Sequence, residues 1–447
     1  MGAYRQTPEE ITGMPSGVPY IVGNELAERF SFYGMKTILV VFMTHHLKPT
    51  AMSPEDAKVW YHQFSASAYF FPILGAIVSD AFLGKYRTIM ALSIVYCLGH
   101  LALAVDETKL GLAVGLSLIA IGSGGIKPCV SAHVGDQFGA KNQQLLERVF
   151  GWFYFSINFG SFFSTLLTPV LLEKYGPSVA FGLPGVFMAL ATIVFWLGRN
   201  HFAHIPPAGS AFVREVFSAH GLRLLGRVSG LVLFIAMFWA LYDQNGSAWV
   251  LQAERMDLEF LGIQWLPSQV QAINPILVLI LIPLTSYVVY PQVSKVFPLT
   301  SLRKIGIGFF LTVLTFLISA HIEARLDAGE KVNIGWQLFA YAVLTLAEVL
   351  VYGTGLEFFY AQAPNRLKSF VMALFLLSVS LGNLFTSLVN RFVQNEDGSS
   401  KLSGPSYYLF FAGLMFVTSV LYIFYAAVYR SERHIQGTEP AGAEGSA

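Results

Sequence analysis

Seven ionisable residues stand within otherwise apolar stretches of the sequence, where a charge is costly. They are Glu25, Glu28, Arg29, Lys36, Lys127, Asp243 and Glu348. A charged side chain at membrane depth costs roughly 2.5–3.5 kcal/mol on insertion scales, so seven cost about 17–25 kcal/mol unless they line water or pair with one another. Groups placed in this way bind charged solutes, carry protons or form ion pairs.

The first four of these residues share one face of a predicted helix. Glu25, Glu28 and Arg29 are spaced i, i+3 and i+4, and Lys36 follows Arg29 by seven residues. This spacing places them in a row on a helix surface. The opposite face is apolar, so we expect the charged face to look into the protein.

The charges are distributed unequally between the two halves of the chain. The three cations lie in the first half, whereas Asp243 and Glu348 lie in the second. Apart from the two glutamates beside Arg29, a cavity between the halves would be positive on one wall and negative on the other. That arrangement suits a zwitterionic solute. The alternative is a set of interior salt bridges that fix helix packing, although buried pairs are poor stabilisers.

Aromatic and amide side chains accompany these charges along the chain. Asn and Tyr can bond ligand amides and rings can form apolar pockets, although an aromatic residue on a membrane helix more often serves packing. The candidates are Phe32, Tyr33, Tyr69, Tyr154, Asn158, Trp239 and Asn274. His62, near the outer end of the second predicted span, is placed to titrate at a cavity mouth or else bonds a neighbouring helix. His100 and His133 are assigned no role.

Composition predicts an integral membrane protein. Of the 447 residues 54% are hydrophobic and 12% are charged, against about a quarter charged in soluble domains. Cys97 and Cys129 lie in apolar segments and fit core thiols, with no metal site and no disulfide framework. The net charge of +1 argues against nucleic acid as a partner. The polar N-terminal stretch indicates no cleavable signal peptide.

Hydropathy divides the chain into twelve spans, because a bilayer core of about 30 Å needs about 20 apolar residues per helix. The spans cover about 20–45, 58–83, 87–105, 110–135, 148–172, 179–199, 228–253, 268–291, 302–322, 335–361, 367–393 and 405–430. We therefore predict an all-α membrane protein built from two six-helix bundles. The predicted divisions are the first bundle 1–199, a cytosolic linker 200–227, the second bundle 228–431 and a C-terminal tail 432–447.

The basic residues predict the orientation. With the N-terminus inside, sixteen Lys and Arg residues fall on the cytosolic side and nine on the outer side, which the positive-inside rule favours. Both termini are therefore expected in the cytosol.

A further pattern lies between the second and third spans, in the form GxxxxDxxxGKxR. Its residues are Gly75, Asp80, Gly84, Lys85 and Arg87. Glycines let two helix ends approach closely, and Asp80 with the basic residues can clamp a helix end on the cytosolic face. An ordinary charged turn is the alternative. Two six-helix halves with a basic linker are the repeat arrangement of major facilitator transporters.

At this level of detail the sequence resembles the proton-coupled oligopeptide transporter family (POT/PTR) of the major facilitator superfamily. The stretch from Glu25 to Gly34 resembles the family's ExxERFxYYG, and that from Phe153 to Ser161 resembles FYxxINxGS. Further matching stretches are Gly122–Pro128, Phe238–Gln244, Asn274–Pro275, and Glu348 with Gly355–Pro364. The match covers essentially the whole chain.

The resemblance implies proton-coupled symport of di- and tripeptides into the cell by alternating access. Arg29, Lys36 and Lys127 would bind or steer the peptide carboxylate. Glu348, Asn158 and Asn274 would hold the amino terminus, and Tyr33, Tyr69, Tyr154 and Trp239 would line the pocket. The residues that would take part in proton coupling are Glu25, Glu28, Arg29, His62, Asp243 and Glu348. Lys36–Asp243 and Lys127–Glu348 would form alternating salt bridges.

The expected partners are a small peptide and the lipid bilayer, with no nucleic acid. Protons are the coupling ion, no other cofactor and no metal is expected, and the protein should work as a monomer in the plasma membrane. An enzyme is not expected, since no nucleophile–base cluster or phosphate loop is present. The alternatives are a transporter of a related non-peptide solute or organic anion, and a non-transporting peptide sensor.

Three departures from the family pattern bear on specificity. Phe32 replaces a tyrosine and so removes a hydroxyl that could contact peptide. Lys36 stands where many members have arginine, which exchanges a bidentate fork for a point charge. Phe375 stands where a pocket tryptophan is usual.

Overall fold

The structure, a computed structural model, describes residues 4–207, 209, 214, 218–362 and 368–429. The first six membrane helices are α1 (Val18–Val41), α2 (Pro54–Leu83), α3 (Lys85–Val105), α4 (Lys109–Gly135), α5 (Leu146–Tyr175) and α6 (Pro177–Leu197). The next six are α7 (Ala219–Ala253), α8 (Pro267–Val293), α9 (Ser301–Asp327), α10 (Gly335–Tyr360), α11 (Lys368–Val393) and α12 (Pro405–Val428).

Eleven of the described helices, α2 to α12, are long and apolar enough to cross a membrane. The twelfth is α1, which is less apolar because it carries Glu25, Glu28, Arg29 and Lys36. The predicted all-α membrane fold is confirmed. Strand structure in the described residues is limited to a hairpin of β1 (Glu259–Phe260) and β2 (Ile263–Gln264) that follows α7.

Local sequence explains where several helices begin. Pro54, Pro177 and Pro405 occupy the first turns of α2, α6 and α12, where a missing N–H costs nothing. The backbone N–H of Asp56 donates to Ser53 Oγ at 3.1 Å, which caps α2.

Helix α7 begins earlier than hydropathy predicts. Its first helical residue is Ala219, after a cap in which Gly221 N donates to Ser218 Oγ at 3.0 Å. The last part of the predicted 200–227 linker is therefore helical, because a helix can extend beyond the bilayer with polar residues that hydropathy assigns to a loop. Part of this linker and the predicted tail 432–447 lie outside the described residues.

Each bundle has its own hydrophobic core. One cluster of buried residues is drawn from positions 18 to 202 and includes Phe42, Phe181 and Phe195. The other is drawn from positions 228 to 422 and includes Trp249 and Phe309. Two separate cores allow the bundles to move as bodies while their mutual contact changes.

Three helices leave regular α geometry next to charged residues. A 3₁₀ turn spans Asp243–Gly246 within α7, and a π-helical turn spans Val349–Gly353 directly after Glu348 in α10. Another π-helical turn, Val78–Leu83, ends α2 and contains Asp80. Such local breaks are common at functional sites, and here they turn the backbone at two of the intramembrane carboxylates.

The GxxxxDxxxGKxR pattern is partly helical, contrary to the prediction that all of it lies in a loop. Gly75 lies inside the α-helical part of α2. Gly84 has a φ of +77° and opens α3, a conformation that favours glycine. The ammonium of Lys85 pairs with Asp136 at 2.7 Å, so the clamp joins α3 to the end of α4. Asp80 accepts from Ser79 Oγ at 3.2 Å, and Arg87 is exposed.

Gly75 is required by the approach of α2 to α4. A Cβ at this position would overlap the backbone of Gly125. We expect Gly75→Ala to destabilise the first bundle by about 1–3 kcal/mol or more, the usual cost of overpacking, and to lower the melting temperature in detergent. The matched control is Gly151→Ala in α5, since nothing lies within 4 Å of a Cβ there. Equal melting temperatures for the two variants would contradict this packing argument.

Candidate functional site

The charged face of α1 forms a buried ion-pair cluster. Arg29 Nε lies 3.1 Å from Glu25 Oε1, and Arg29 Nη2 lies 2.5 Å from Glu28 Oε2. Ser123 of α4 donates from Oγ to Glu28 Oε1 at 3.4 Å. The three charged residues are at most 7% exposed. The two carboxylates therefore depend on nearby side chains rather than on bulk water for compensation.

Lys127 of α4 lies near this cluster. Its Nζ is buried and makes no hydrogen bond with any residue that the structure describes. The Nζ is 4.0 Å from the ring centroid of Phe32 and 4.0 Å from that of Tyr69, and it interacts electrostatically with Arg29 and Glu28. Ring faces stabilise a cation by about 0.5–2 kcal/mol. The ammonium is thus held in place while its hydrogen-bond donors stay free for a ligand.

The ring of Phe32 contacts buried cations and does not line the pocket. It is fully buried, and Arg29 Cζ lies 5.9 Å from its centroid. Because Lys127 also lies over this ring, one aromatic side chain contacts two of the cations. Replacing the family's tyrosine by Phe32 therefore mainly affects how the two cations pack against this ring.

Lys36 of α1 pairs with Asp243 of α7 across the two bundles, with Nζ 3.0 Å from Oδ1. The other carboxylate oxygen accepts from Asn383 Nδ2 of α11 at 2.6 Å. Tyr61 of α2 places its ring 5.2 Å from the Lys36 ammonium. The expected contact between Lys36 and Asp243 is thus present in this conformation, and both charges are compensated.

His62 lies at this interface and is completely buried, contrary to the prediction that it sits at a cavity mouth. Its Nδ1 is 2.7 Å from Asn383 Oδ1 and its Nε2 is 2.9 Å from Ser247 Oγ. Asn383 uses its amide nitrogen to donate to Asp243 and to Val379 O, so its oxygen faces His62. The Nδ1 of His62 therefore carries a hydrogen and connects His62 through Asn383 to Asp243. The burial arises because the bundles close over this part of α2.

Glu348 of α10 has only neutral partners. Asn274 of α8 donates from Nδ2 to Glu348 Oε2 at 2.8 Å and to Thr345 Oγ1 at 3.1 Å. Tyr242 of α7 lies beside the carboxylate. Among the described residues no cation pairs with it, and the expected Lys127–Glu348 bridge is not formed in this conformation. Of the seven intramembrane charges, Glu348 and Lys127 are thus the two that form no ion pair with a residue that the structure describes.

The predicted pocket residues surround these charges. Tyr33 interacts electrostatically with Arg29, Lys36 and Glu348, so it lies between the two walls. Tyr154 lies near Glu348, and Asn158 donates from Nδ2 to Tyr154 O at 3.0 Å. Tyr33 therefore lies within electrostatic reach of both the α1 cluster and Glu348.

Two aromatic residues are more buried than the resemblance implies. Trp239 is 7% exposed, and its ring meets Tyr352 edge-on at 5.6 Å. Phe375 is fully buried behind Tyr352, 5.6 Å away. Tyr352 rather than Phe375 is the partly exposed ring at this place.

The hydrogen bonds and ion pairs that the structure describes between the two bundles all lie at one end of the protein. Every such contact uses the last part of α1 or the turn after it, the first part of α2, or the last part of α5, which all lie at the end away from the chain's N-terminus. The contacts are Lys36–Asp243, His45–Glu254, His62–Ser247, His62–Asn383, Asp56–Gln394, Val59–Ser387, Ala66–Ser380, Thr37–Gln271 and Leu166–Gln269. This conformation is closed at that end.

Several site residues were missed by sequence reasoning. Asn383, Ser247 and Ser123 each hydrogen-bond an intramembrane ionisable group, and Tyr242 lies beside Glu348. Of these residues, Asn383 could have been found from the sequence, because it is an amide within the apolar stretch of α11. A serine or tyrosine on a membrane helix is too common to be singled out.

The comparisons with known proteins all indicate the same family. Residues 86–222 and 218–406 match the POT family, PTR2. The chain is 39% identical over 360 residues to Peptide transporter family 1 of Drosophila melanogaster, covering 70% of this chain and 48% of that protein. It is 39% identical over 388 residues to Solute carrier family 15 member 2 of Homo sapiens, covering 75% and 52%. The chain thus spans about half the length of the curated relatives it matches.

Solved structures are similar over nearly their full length. A crystal structure of an auto-inhibited POT family peptide transporter superposes with a TM-score of 0.87 at 35% identity, covering 96% of this chain and 99% of that one. The POT family transporter PepTSo superposes with a TM-score of 0.86 at 36% identity, covering 93% and 99%.

Proposed function

The chain belongs to the POT family, and on that premise we propose that it moves di- and tripeptides across a membrane together with protons, by alternating access. It is a multi-pass membrane protein. The observation that carries the proposal is the pair of charges without ionic partners, Lys127 in the first bundle and Glu348 in the second. A peptide is a zwitterion whose carboxylate suits Lys127 and whose ammonium suits Glu348.

The neutral groups around Glu348 support the same orientation of the peptide. Asn274 donates to the carboxylate and Tyr242 lies beside it, and neither carries a charge that would compete with a ligand ammonium group. Tyr154 lies near Glu348 and its carbonyl accepts from Asn158, so we assign these two side chains to the peptide amides. The ammonium end of the peptide is therefore assigned to the second bundle.

Proton coupling follows from the charge of the cluster on α1 and α4. Glu25 and Glu28 carry two negative charges when ionised. Arg29 pairs with both of them, and Lys127 supplies the second positive charge from a distance, without an ion pair. Protonation of one carboxylate leaves one unit of positive charge uncompensated, and the peptide carboxylate can neutralise it. A proton and a peptide thus favour one another's binding, which is reciprocal by thermodynamic linkage.

The Lys36–Asp243 pair supports a role in holding one end closed. Its connection through Asn383 to His62 places a titratable ring beside the pair. Because Nδ1 already carries a hydrogen, a further proton would enter at Nε2, where Ser247 would then have to accept instead of donate. Protonation at this interface would weaken the contact between the bundles and favour opening of that end. No cofactor besides the proton is needed in this scheme.

We assign the termini to the cytosol, so the closed end faces outward and the conformation described is closed to the outside. The excess of Lys and Arg on the side of the N-terminus supports this orientation. The plasma membrane and a monomeric state complete the proposal, since all the groups of the site come from one chain.

A related organic anion is the alternative solute. A simple anion has no use for the uncompensated Glu348, which argues for a solute with an ammonium group. A non-transporting peptide sensor would bind the same ligand, so transport itself has to be measured.

The test uses purified protein in liposomes with an inside-negative potential, an acidic exterior and labelled dialanine. We expect accumulation of dialanine inside above the external concentration, and loss of that accumulation when an uncoupler is added. Binding without accumulation would favour the sensor, and uptake of nitrate but not dialanine would favour the anion transporter. Either result would overturn the proposal.

A further inference from the structure

A buried lysine lies between the two bundles at the closed end. Lys58, in the second turn of α2, is 6% exposed. Its Nζ lies 2.8 Å from Glu55 Oε1 and 2.7 Å from Glu55 Oε2, and 4.2 Å from the ring centroid of Tyr407 in α12. Neither the proposed peptide site nor the Lys36–Asp243 contact uses these three residues, so a charge buried here needs another explanation.

The two partners of Lys58 belong to different bundles. Glu55 lies one turn earlier on the same helix, so it stays beside Lys58 when the bundles separate. Tyr407 belongs to the second bundle, where its hydroxyl donates to Asn390 Oδ1 at 2.9 Å and fixes the ring. Opening of this end therefore removes the ring from Lys58 and returns the ion pair to water.

This part of α2 closes directly against the second bundle. Gln394, which follows α11, donates from Nε2 to Asp56 Oδ1 at 3.0 Å, and Ser387 of α11 donates from Oγ to Val59 O at 3.2 Å. These contacts flank Lys58 along the chain. Its contact with the ring therefore exists only while the bundles are closed here.

The charge of Lys58 makes closure costly, and the ring offsets part of that cost. A buried ion pair loses hydration that the attraction between its members only partly restores, whereas an aromatic face attracts a desolvated cation. A second acid, Glu323 of α9, acts on Lys58 from a distance, but it is already paired with Arg255. The Tyr407 ring is therefore the direct contact through which the second bundle compensates the ammonium.

We propose that Glu55, Lys58 and Tyr407 set the balance between the open and closed states of this end of the protein. The buried ion pair favours opening, because opening rehydrates both charges, and the ring favours closure. Without the two charges, closure would cost less and this end would open less often. This inference rests on alternating access between two conformations, which is part of the proposed function.

The experiment measures the distance between the bundles at this end by double electron–electron resonance on purified protein in detergent. Spin labels are attached to Ala51→Cys, just before α2, and to Ala328→Cys, at the end of α9, which are both exposed positions. Cys97→Ala and Cys129→Ala remove the native thiols. The populations of the longer and the shorter distance then give the ratio of open to closed protein.

Two replacements of Tyr407 separate the ring from its hydroxyl. Tyr407→Leu removes the ring, and we expect the ratio of open to closed protein to rise about tenfold, the order expected for a desolvated cation over a ring. Tyr407→Phe keeps the ring and removes only the hydrogen bond to Asn390, so the ratio should stay close to that of the wild type.

Removal of the ion pair tests the charge itself. Glu55→Gln/Lys58→Met leaves no charge to bury, and we expect the ratio of open to closed protein to fall, because apolar replacement of a buried pair is often stabilising. In this background Tyr407→Leu should have a much smaller effect than in the wild type, because the cation that the ring contacts is gone.

The matched control is a cation and a ring that do not cross between the bundles. Lys401 Nζ lies 5.4 Å from the ring centroid of Phe392, both residues belong to the second bundle, and Phe392 is 80% exposed. Phe392→Leu should leave the ratio of open to closed protein unchanged.

An unchanged ratio in Tyr407→Leu would overturn this inference. Equal effects of Tyr407→Leu with and without the two charges would also overturn it, because they would indicate packing of the ring alone. An equal shift in Tyr407→Phe and Tyr407→Leu would overturn it in favour of the hydrogen bond to Asn390. A single label distance in every variant would overturn alternating access as well, whereas the expected shifts in a protein that takes up no dialanine would overturn only the proposed function.

Discussion

Replacing Lys127 by Gln should abolish the protein's preference for dipeptides with a free carboxylate, and replacing Glu348 by Gln should abolish its preference for those with a free ammonium group. Neither charge has an ionic partner among the described residues, so each would meet its counter-charge on the ligand. Truncating one member of a buried charge pair costs about 2–5 kcal/mol. We therefore expect dialanine affinity to fall about 30-fold or more in each variant.

The sharpest form of this prediction compares three ligands: dialanine, its C-terminal amide and its N-acetyl derivative. Wild-type protein should bind both derivatives weakly in an equilibrium assay in detergent. Lys127→Gln should bind dialanine and its amide with similar affinity and still discriminate against the acetylated peptide. Glu348→Gln should show the reverse pattern.

The control variants remove exposed charges outside the site. Lys141 pairs with Glu10 and Arg325 pairs with Glu330 near the helix ends. Lys141→Gln and Glu330→Gln should keep the wild-type ligand order. If Lys127→Gln retained full discrimination against the amide, the peptide carboxylate would have to bind elsewhere.

The helices and the ionisable groups of the site follow from simple properties of the sequence. Membrane spans are long apolar runs, and a charge within such a run is conspicuous because burying it is costly. Glu25, Glu28 and Arg29 could be placed on one helix face because helix spacing is regular. These features depend on local composition, which a single chain records directly.

The pairing of these charges could not be predicted from local composition. Lys36 meets Asp243, whereas Lys127 and Glu348 stay apart, and this difference depends on how the bundles dock in one conformation. A sequence that serves two conformations contains both sets of contacts without indicating which one is formed. His62 was misplaced for the same reason, since closure of the bundles is what buries it.

Neutral partners were the least predictable part of the site. Asn383 orients His62 and bonds Asp243, and Ser123 bonds Glu28. Such groups are ordinary in composition and gain importance only from a neighbour brought close by the tertiary fold. The early start of α7 has a related cause, because a capped helix can continue outside the bilayer.

Replacing Glu28 by Gln should uncouple peptide movement from the proton gradient while preserving peptide exchange. The variant makes the cluster of Glu25, Arg29 and Lys127 permanently positive by one unit, which imitates the protonated state. The peptide carboxylate can then bind without a proton. One charge moved through 100 mV contributes about 2.3 kcal/mol, or about 50-fold in accumulation. We expect the wild-type protein to accumulate dialanine inside the liposomes to about that ratio. The variant should leave the inside and outside concentrations of dialanine nearly equal.

Counterflow measures exchange without any gradient, and it distinguishes uncoupling from inactivation. Glu28→Gln should exchange labelled for unlabelled dialanine within about threefold of the wild-type rate, because the peptide and its counter-charges are unchanged, and its binding should vary less with pH. Gradient-driven accumulation by Glu28→Gln at the wild-type level would move the coupling proton to another group. The same experiment on Glu25→Gln would then decide between the two carboxylates that Arg29 holds, since each contributes one negative charge to the same cluster.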